Sequence, residues 1–137
     1  MFRNNISFFI LALALNLNAE ISINNLIITS EYVEISKDRN QVIFQDKVKI
    51  DSGTLVITAN EAVYDGKKKI ITVKGNPSLI DSLLKDLSFS GEASEIIFFA
   101  NNKVQLVGKA SMIYDDINIS SNAITFNPQN GSISSDD

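Results

Sequence analysis

The segment Ile57-Thr-Ala-Asn-Glu-Ala-Val-Tyr64 has counterparts at three other places in the chain. Each copy begins with a large apolar residue, has a small residue two positions later, and then Glu or Asn. Each ends on an apolar or aromatic residue at the eighth position. The other copies are residues 28–35, 89–96 and 119–126, so successive copies start 29, 32 and 30 residues apart. A period near 30 residues indicates a protein built from structural repeats.

A second motif alternates with the first at nearly the same period. Its copies are Phe44-Gln-Asp-Lys-Val-Lys-Ile50, Val73-Lys-Gly-Asn-Pro-Ser-Leu79 and Leu106-Val-Gly-Lys-Ala-Ser-Met112. Their centres hold Asp46-Lys47, Gly75-Asn76-Pro77 and Gly108-Lys109. A proline at this point favours a bend or an edge position over a place in a continuous ladder.

Apolar residues alternate along each repeat, as expected for strands with one buried face. In the repeat that contains Val73–Leu79, for example, Ile71, Val73 and Leu79 share one parity. In the first motif the parity of the apolar residues changes at Ala59-Asn60. The same change is expected at Gly91-Glu92 and Ser121-Asn122, and it indicates a bulge or corner. The pattern predicts an all-β fold. Only residues 80–87, at the longest repeat spacing, suggest an inserted helical turn.

The N-terminus has the features of a secretory signal peptide. Arg3 precedes an apolar stretch, residues 6–17, and a small residue, Ala19, closes it. The stretch is shorter than the roughly 20 residues that a membrane-spanning helix needs. We therefore predict a signal peptide at residues 1–19, cleavage after Ala19, and a single domain at residues 20–137. A retained membrane anchor is the alternative.

The composition argues against several function classes. The chain has no Cys and no His, which excludes thiol nucleophiles, Ser–His–Asp triads and Cys/His zinc sites. The 12 Lys and Arg against 16 Asp and Glu give a net charge of −4, unfavourable for nucleic-acid binding. We predict no enzyme activity, no cofactor, no metal site and no nucleic-acid partner.

The charged residues have plain structural interpretations. Glu31, Asn60, Glu92 and Asn122 occupy matching places in the first motif, and residues repeated for architecture are seldom catalytic. Lys67-Lys68-Lys69 is a candidate contact for anionic lipid phosphates. Beside the turn signal Asp65-Gly66, however, we favour a solvated hairpin.

The motifs resemble those of the OstA-like family of lipopolysaccharide transport proteins. Ile57-Thr-Ala-Asn-Glu-Ala-Val-Tyr64 is similar to the family's I-x-A-D-x-x-x-Y, and Val73-Lys-Gly-Asn-Pro77 to its G-x-P or G-N-x element. The resemblance covers nearly all of residues 20–137. The chain departs from the family pattern at Asn60, Glu92 and Asn122, where the family often has Asp.

This resemblance implies an open antiparallel β-jelly roll with an apolar trough. The implied function is that of a periplasmic bridge protein, which binds lipopolysaccharide and shields its acyl chains between the inner and outer membranes. Implied partners are an inner-membrane LptC-like and an outer-membrane LptD-like jelly roll, joined end to end. Independently of the resemblance, unpaired strand edges at the two ends favour pairing with partners and head-to-tail self-association. Our candidate edges are residues 21–28, 123–126 and 132–134.

The inner-parity residues are the candidate lipid-binding residues, since only one parity of a strand lines an interior. They are Val33, Ile35, Phe44, Val48, Ile50, Ile57, Tyr64, Val73, Phe98, Leu106, Tyr114, Ile119 and Phe126. The same pattern also fits a structural or adhesive β-repeat filament whose core is closed. The alternation does not separate an open trough from a packed core.

Overall fold

The computed structural model describes residues 19–86 and 88–136, which form one antiparallel sheet of ten strands. The strands are β1 (Ala19–Ile23), β2 (Leu26–Ser30), β3 (Tyr32–Ser36), β4 (Gln41–Asp51), β5 (Leu55–Asp65), β6 (Ile70–Ser82), β7 (Phe89–Phe98), β8 (Val104–Tyr114), β9 (Ile117–Asn127) and β10 (Ser132–Asp136). The predicted all-β class is confirmed.

Two predictions concern segments at the limits of this description. The predicted signal peptide lies outside the described residues except for Ala19, which begins β1. The predicted helical turn at residues 80–87 is wrong for residues 80–86, which the structure describes. There β6 continues to Ser82, and an irregular loop follows.

The sheet is a meander in which almost every strand pairs with its neighbour in sequence. The order is β1-β2-β4-β5-β6-β7-β8-β9-β10, and β3 also pairs with β4. β2 and β3 lie along the two ends of β4, with Ile28 opposite Ile50 and Val33 opposite Phe44. They therefore act as two parts of one bent strand that is interrupted at Glu31.

Every long strand is interrupted near its middle, and the interruptions form a line across the sheet. The ladder between β4 and β5 skips Asp46-Lys47 opposite Asn60, and that between β8 and β9 skips Gly108-Lys109 opposite Asn122. Asp46, Lys47, Gly108 and Lys109 all have positive φ. Bulges of this kind bend a strand sharply. The second motif is thus confirmed as a bend.

The sheet folds along this line into two layers. The first layer holds β1, β2 and residues 48–51, 55–59, 78–82, 89–93, 110–114 and 117–121. The second holds β3, β10 and residues 41–45, 61–65, 70–74, 95–98, 104–107 and 123–127. Phe89 of the first layer and Phe126 of the second have ring centroids 4.5 Å apart, so the layers face each other.

Small residues border the fold line on several strands. Ser30 of the first motif, Ala93 of β7 and Ala110 of β8 are almost fully buried there. The corner of β7, however, is at Ser94, which the ladder to β6 skips. The expected corner at Gly91-Glu92 is wrong by two residues. Ser94, and not Glu92, is the counterpart of Asn60 and Asn122.

A correction also applies to Leu79, which was expected to share the inner face with Ile71 and Val73. Leu79 is 41% exposed on the outer face, and Ile80 is buried in its place. The reason is the number of residues at each corner. β4 and β8 insert two residues, which preserves the parity of the strand, whereas β6 inserts Gly75-Asn76-Pro77 relative to β7, and three residues reverse it.

The core lies between the layers and is made by rows of aligned residues. In the first layer, one row includes Ile28, Ile50, Ile57, Ile80 and Met112. In the second layer, the matching row includes Phe44, Ala62, Val73, Ile96, Leu106 and Ile124. Burying a large apolar side chain stabilises a fold by about 1.5–3 kcal/mol, so contact between the layers is a main source of stability.

Candidate functional site

The thirteen candidate lipid-binding residues all lie on strand faces directed between the layers. Eight are buried: Phe44, Val48, Ile50, Ile57, Val73, Phe98, Leu106 and Phe126. Four are half-buried against the same core: Val33, Tyr64, Tyr114 and Ile119. Ile35 is 64% exposed because it lies on β3, at the edge of the sheet. Their contact with lipid stays a prediction.

Side chains from the two layers fill the centre of the interior. Phe44, Ile50, Ile57 and Leu106 have no exposed surface. At Gly91 the absent side chain leaves room for Leu106 of the other layer, whose Cδ2 atom would lie 3.0 Å from an added Cβ. The interior in this conformation is therefore a packed core. Open space for a ligand lies at the margin of this core.

A groove of about 410 Å³ opens between the layers on the side away from the fold line. Its apolar floor is formed by Leu26 and Leu55 of the first layer and Phe98 of the second. Its rim is polar and consists of Asn24, Asn25, Ser52, Thr54, Asn102 and Gln129, with Pro128 beside them. The volume lies within the range of about 300–1,000 Å³ that is typical of small-molecule sites.

A smaller space of about 30 Å³ extends the groove along the second layer. It shares Asn24, Leu26, Phe98 and Asn102 with the groove, and Tyr64 and Lys69 are among the residues that it adds. Of the floor residues, only Phe98 was a candidate from the sequence. Leu26 and Leu55 lie two residues before Ile28 and Ile57 and therefore share their parity. The alternation of apolar residues could thus have predicted that both face the interior.

The C-terminal part of the opening is closed by aromatic rings. Phe126 packs against Phe89 and, with a centroid distance of 6.1 Å, against Tyr114. The Tyr114 hydroxyl lies against Gly131 in the turn between β9 and β10, where a Cβ would be 3.0 Å from it. The groove lies beside these rings and reaches from the turn at residues 24–25 to Pro128 and Gln129.

The charged side chains of the fold line form two exposed ion pairs, Lys47–Glu31 at 3.4 Å and Lys74–Glu95 at 3.8 Å. Surface pairs of this kind contribute about 0–1 kcal/mol. At the opening, Asp65 accepts hydrogen bonds from the backbone N–H groups of Lys67 and Lys68 at 2.9 and 3.1 Å. The bond from Lys68 is the main cause that lowers the pKa of the Asp65 carboxyl.

The ends of the sheet present strand edges to which the described residues supply no further strand. At the N-terminal end these are β1 in the first layer and β3 in the second. At the C-terminal end they are residues 117–121 of β9 and all of β10. Residues 21–28 were expected to be one edge strand, which is wrong, because Asn24 and Asn25 form a turn with positive φ and fold β1 back on β2.

Neither a metal-binding cluster nor a membrane-spanning helix is found among the described residues. No three of their Asp, Glu, Cys and His side chains gather where a metal ion could be held. No helix capable of spanning a membrane occurs within residues 19–86 and 88–136. The groove and the strand edges are the candidate sites for a ligand and for partner strands.

Comparisons with known proteins give one family match and a similar solved structure. A family model described as LptA/(LptD N-terminal domain) LPS transport protein matches residues 27–132. Among solved structures, the chain is similar to LptH, the LptA-homologous periplasmic component of the lipopolysaccharide transport device from Pseudomonas aeruginosa. The TM-score is 0.73, with 16% identity over 80% of each chain, which shows a shared fold. No curated protein sequence matches significantly.

Proposed function

The chain belongs to the LptA/LptD N-terminal domain family of lipopolysaccharide transport proteins, and we propose that it is a non-enzymatic periplasmic bridge that shields the acyl chains of lipopolysaccharide between the membranes. The observation that carries this proposal is the two-layer sheet whose apolar interior opens, through a groove floored by Leu26, Leu55 and Phe98, on one side. Export by cleavage of residues 1–19 is part of the proposal.

The physical requirement is that acyl chains stay out of water. Exposing them costs roughly 0.8 kcal/mol per CH₂, so a lipid with several chains needs a continuous apolar path. The described layers are connected at the fold line and meet elsewhere largely through apolar side chains such as Phe44, Ile57 and Leu106. An acyl chain that enters at the groove replaces these contacts with others of the same kind, and the layers separate to receive it.

End-to-end assembly is supported by the matching ends of the sheet. β1 is five residues long and extends only the first layer, whereas β10 is five residues long and extends only the second. When two copies lie end to end, β10 of one copy and β1 of the next lie in the same row. β10 runs toward the fold line and β1 runs away from it, so together they form one bent strand, antiparallel to both neighbours.

The same geometry extends to other jelly rolls. An LptC-like partner at the N-terminal end or an LptD-like partner at the C-terminal end needs to supply only the missing half strand. Strand addition of this kind gives affinity through main-chain hydrogen bonds. The contact is heterologous, so copies of one chain are expected to form open-ended rows.

A second candidate function is favoured by the packing of the interior. The absence of exposed surface at Phe44, Ile50 and Ile57 fits a structural or adhesive filament with a closed core. In that case the end-to-end contact remains and the lipid is absent. The test must therefore detect lipid directly.

The test is photo-crosslinking to purified lipopolysaccharide. A photoreactive residue at Leu26 or Phe98, on the groove floor, is expected to capture the lipid, while one at Lys49, on the outer face of the first layer, is not. Thermal melting of each variant verifies that it is folded. If folded variants at both groove positions capture no lipid, the filament function replaces the carrier function.

A further inference from the structure

Three turns of the second layer bring positive charge to one side of the opening. They are residues 37–40 between β3 and β4, 66–69 between β5 and β6, and 99–103 between β7 and β8. Their cations, all exposed, are Lys37, Arg39, Lys67, Lys68, Lys69 and Lys103. We call this set the basic lip. Asp38 and Asp65 are the acidic residues in or next to these turns.

The three turns are adjacent in the fold, although about 30 residues separate each from the next in sequence. The backbone N–H of Gly66 donates a 2.8 Å hydrogen bond to the carbonyl oxygen of Asn40, which joins the first turn to the second. Lys69 and Asn102 line the same small space, which joins the second to the third. Asn102 also belongs to the rim of the groove. The basic lip is therefore a continuous surface that borders the groove.

The opposite side of the opening has the reverse charge. Turns of the first layer hold one cation, Lys85, and the acids Asp86, Asp115 and Asp116, and Asp51 ends β4 at the same edge of this layer. The rim at residues 24–25 and 52–54 of this layer is uncharged. An anion at the opening is consequently attracted to one side and repelled by the other.

The cations of the basic lip are available to a ligand. In residues 19–86 and 88–136, the ion pairs within 4.0 Å are Lys47–Glu31 and Lys74–Glu95, both at the fold line. Asp65 directs its Oδ1 atom to the backbone of Lys67 and Lys68, and so it shapes the turn. The side chains of Lys67 and Lys68 also attract the Asp65 carboxylate, but all six cations of the lip are exposed and can interact with an anion.

We propose that the basic lip binds the phosphate groups of the lipid whose acyl chains enter the groove. This inference rests on the proposed function and adds to it the place and orientation of the headgroup. A cationic surface beside an apolar floor matches an amphiphile with an anionic head, and the acidic opposite side favours the orientation in which this head lies at the lip. The sequence alone favoured a solvated hairpin at Lys67–Lys69, because it did not show that two other cationic turns lie against it.

The experiment compares lipid A with and without its phosphates, as probes for the full-length protein. The lip variant replaces Lys67, Lys68 and Lys103 by Gln. The control variant replaces Lys49, Lys74 and Lys109 by Gln and so changes the net charge equally at positions away from the opening. We expect the lip variant to bind phosphorylated lipid A about tenfold more weakly than the control does. Dephosphorylated lipid A should bind both variants alike.

Further measurements identify the source of the anion. Raising the salt concentration should weaken binding of phosphorylated lipid A to the wild-type chain, because exposed charges are screened beyond about 8 Å at physiological ionic strength. Inorganic phosphate at millimolar concentration should compete poorly, since it lacks chains for the groove. Phosphatidylglycerol vesicles should not bind through the same lysines. If they do, the lip is a membrane-contact surface and the proposal is overturned.

The failures of the two proposals are distinguishable. If lipid A binds the wild-type chain, but the lip and control variants bind it equally or the phosphates make no difference, the headgroup proposal is overturned and the carrier function stands. If neither form of lipid A binds the wild-type chain, the carrier function and the headgroup proposal both fail.

Discussion

A Cβ atom added to Gly91 would lie 3.0 Å from Cδ2 of Leu106 and 3.1 Å from the carbonyl oxygen of Ser111. Gly91 belongs to the first layer and is aligned with Met112, whereas Leu106 belongs to the second layer and is aligned with Ile96. The contact therefore crosses the interior. It shows that the two layers have complementary shapes. The row of the first layer otherwise consists of isoleucine and methionine, and the glycine in it leaves space for Leu106.

We expect Gly91→Val to destabilise the protein by about 1–3 kcal/mol, because the added methyl groups overfill a packed interior. Leu106→Ala alone should cost about 2–5 kcal/mol, since it leaves a cavity. The double variant should cost less than the sum, because each change relieves the other. Denaturant unfolding of the wild type, the two single variants and the double variant completes a double-mutant cycle. Additive costs would show that the two side chains do not meet.

A substitution at Gly108 tests how tightly the corner of β8 is packed. Its φ is +88°, and an added Cβ would lie 3.1 Å from Cβ of Ser94. Gly53 has nearly the same φ, +90°, with nothing within 4 Å of an added Cβ, and so it is the matched control. We expect Gly53→Ala to cost about 1–2 kcal/mol from the backbone alone. Gly108→Ala should cost more. Equal losses in thermal or urea unfolding would mean that the corner tolerates the methyl group.

Asp65 should make the stability of the turn at residues 66–69 depend on pH. Hydrogen bonds from the backbone of Lys68 and Lys67 stabilise the ionised carboxylate and lower its pKa from 3.8. The stabilisation is therefore present above the ordinary pKa and is lost as the pH falls through the lower pKa of the folded state. NMR titration of the carboxyl carbon should show an inflection below 3.8. Asp65→Asn should remove this contribution, and a titration at or above the ordinary value would contradict the hydrogen bonding.

The half strands β1 and β10 predict which truncated chains associate. A chain lacking residues up to 25 loses β1, and a chain lacking residues 128–137 loses β10. Each should be monomeric alone, because the bent strand at every contact would lack one half. Mixed together, they should form a dimer of one copy of each, joined through the intact β10 and the intact β1. Light scattering over a range of concentrations measures both outcomes.

The full-length chain is the control for this mixing experiment and should form longer rows as its concentration rises. Circular dichroism establishes that each truncated chain keeps its sheet, since β2 and β9 still pair with β4 and β8. Dimers of either truncated chain alone would indicate a symmetric contact between like edges and would exclude head-to-tail assembly.

The repeat and its alternation were sufficient to predict the all-β class, the corners at Asp46-Lys47 and Gly108-Lys109, and the inner face of the candidate residues. These features are local. A strand alternates its side chains with period two, and glycine or Asx residues mark positive φ within a few residues of the bend. The interior position of Phe44 or Leu106 follows from its own neighbours in sequence.

The face of Leu79, the corner at Ser94 and the charge of the opening were decided by the tertiary structure. The number of residues inserted at one corner sets the register of the next strand, so Gly75-Asn76-Pro77 determines where β7 bends. The turns holding Arg39, Lys68 and Lys103 become one surface only when the intervening strands pair. Whether apolar rows enclose a trough or a core depends on how closely two layers approach, and that distance is set by contacts such as Gly91 with Leu106, between segments that do not pair in the sheet.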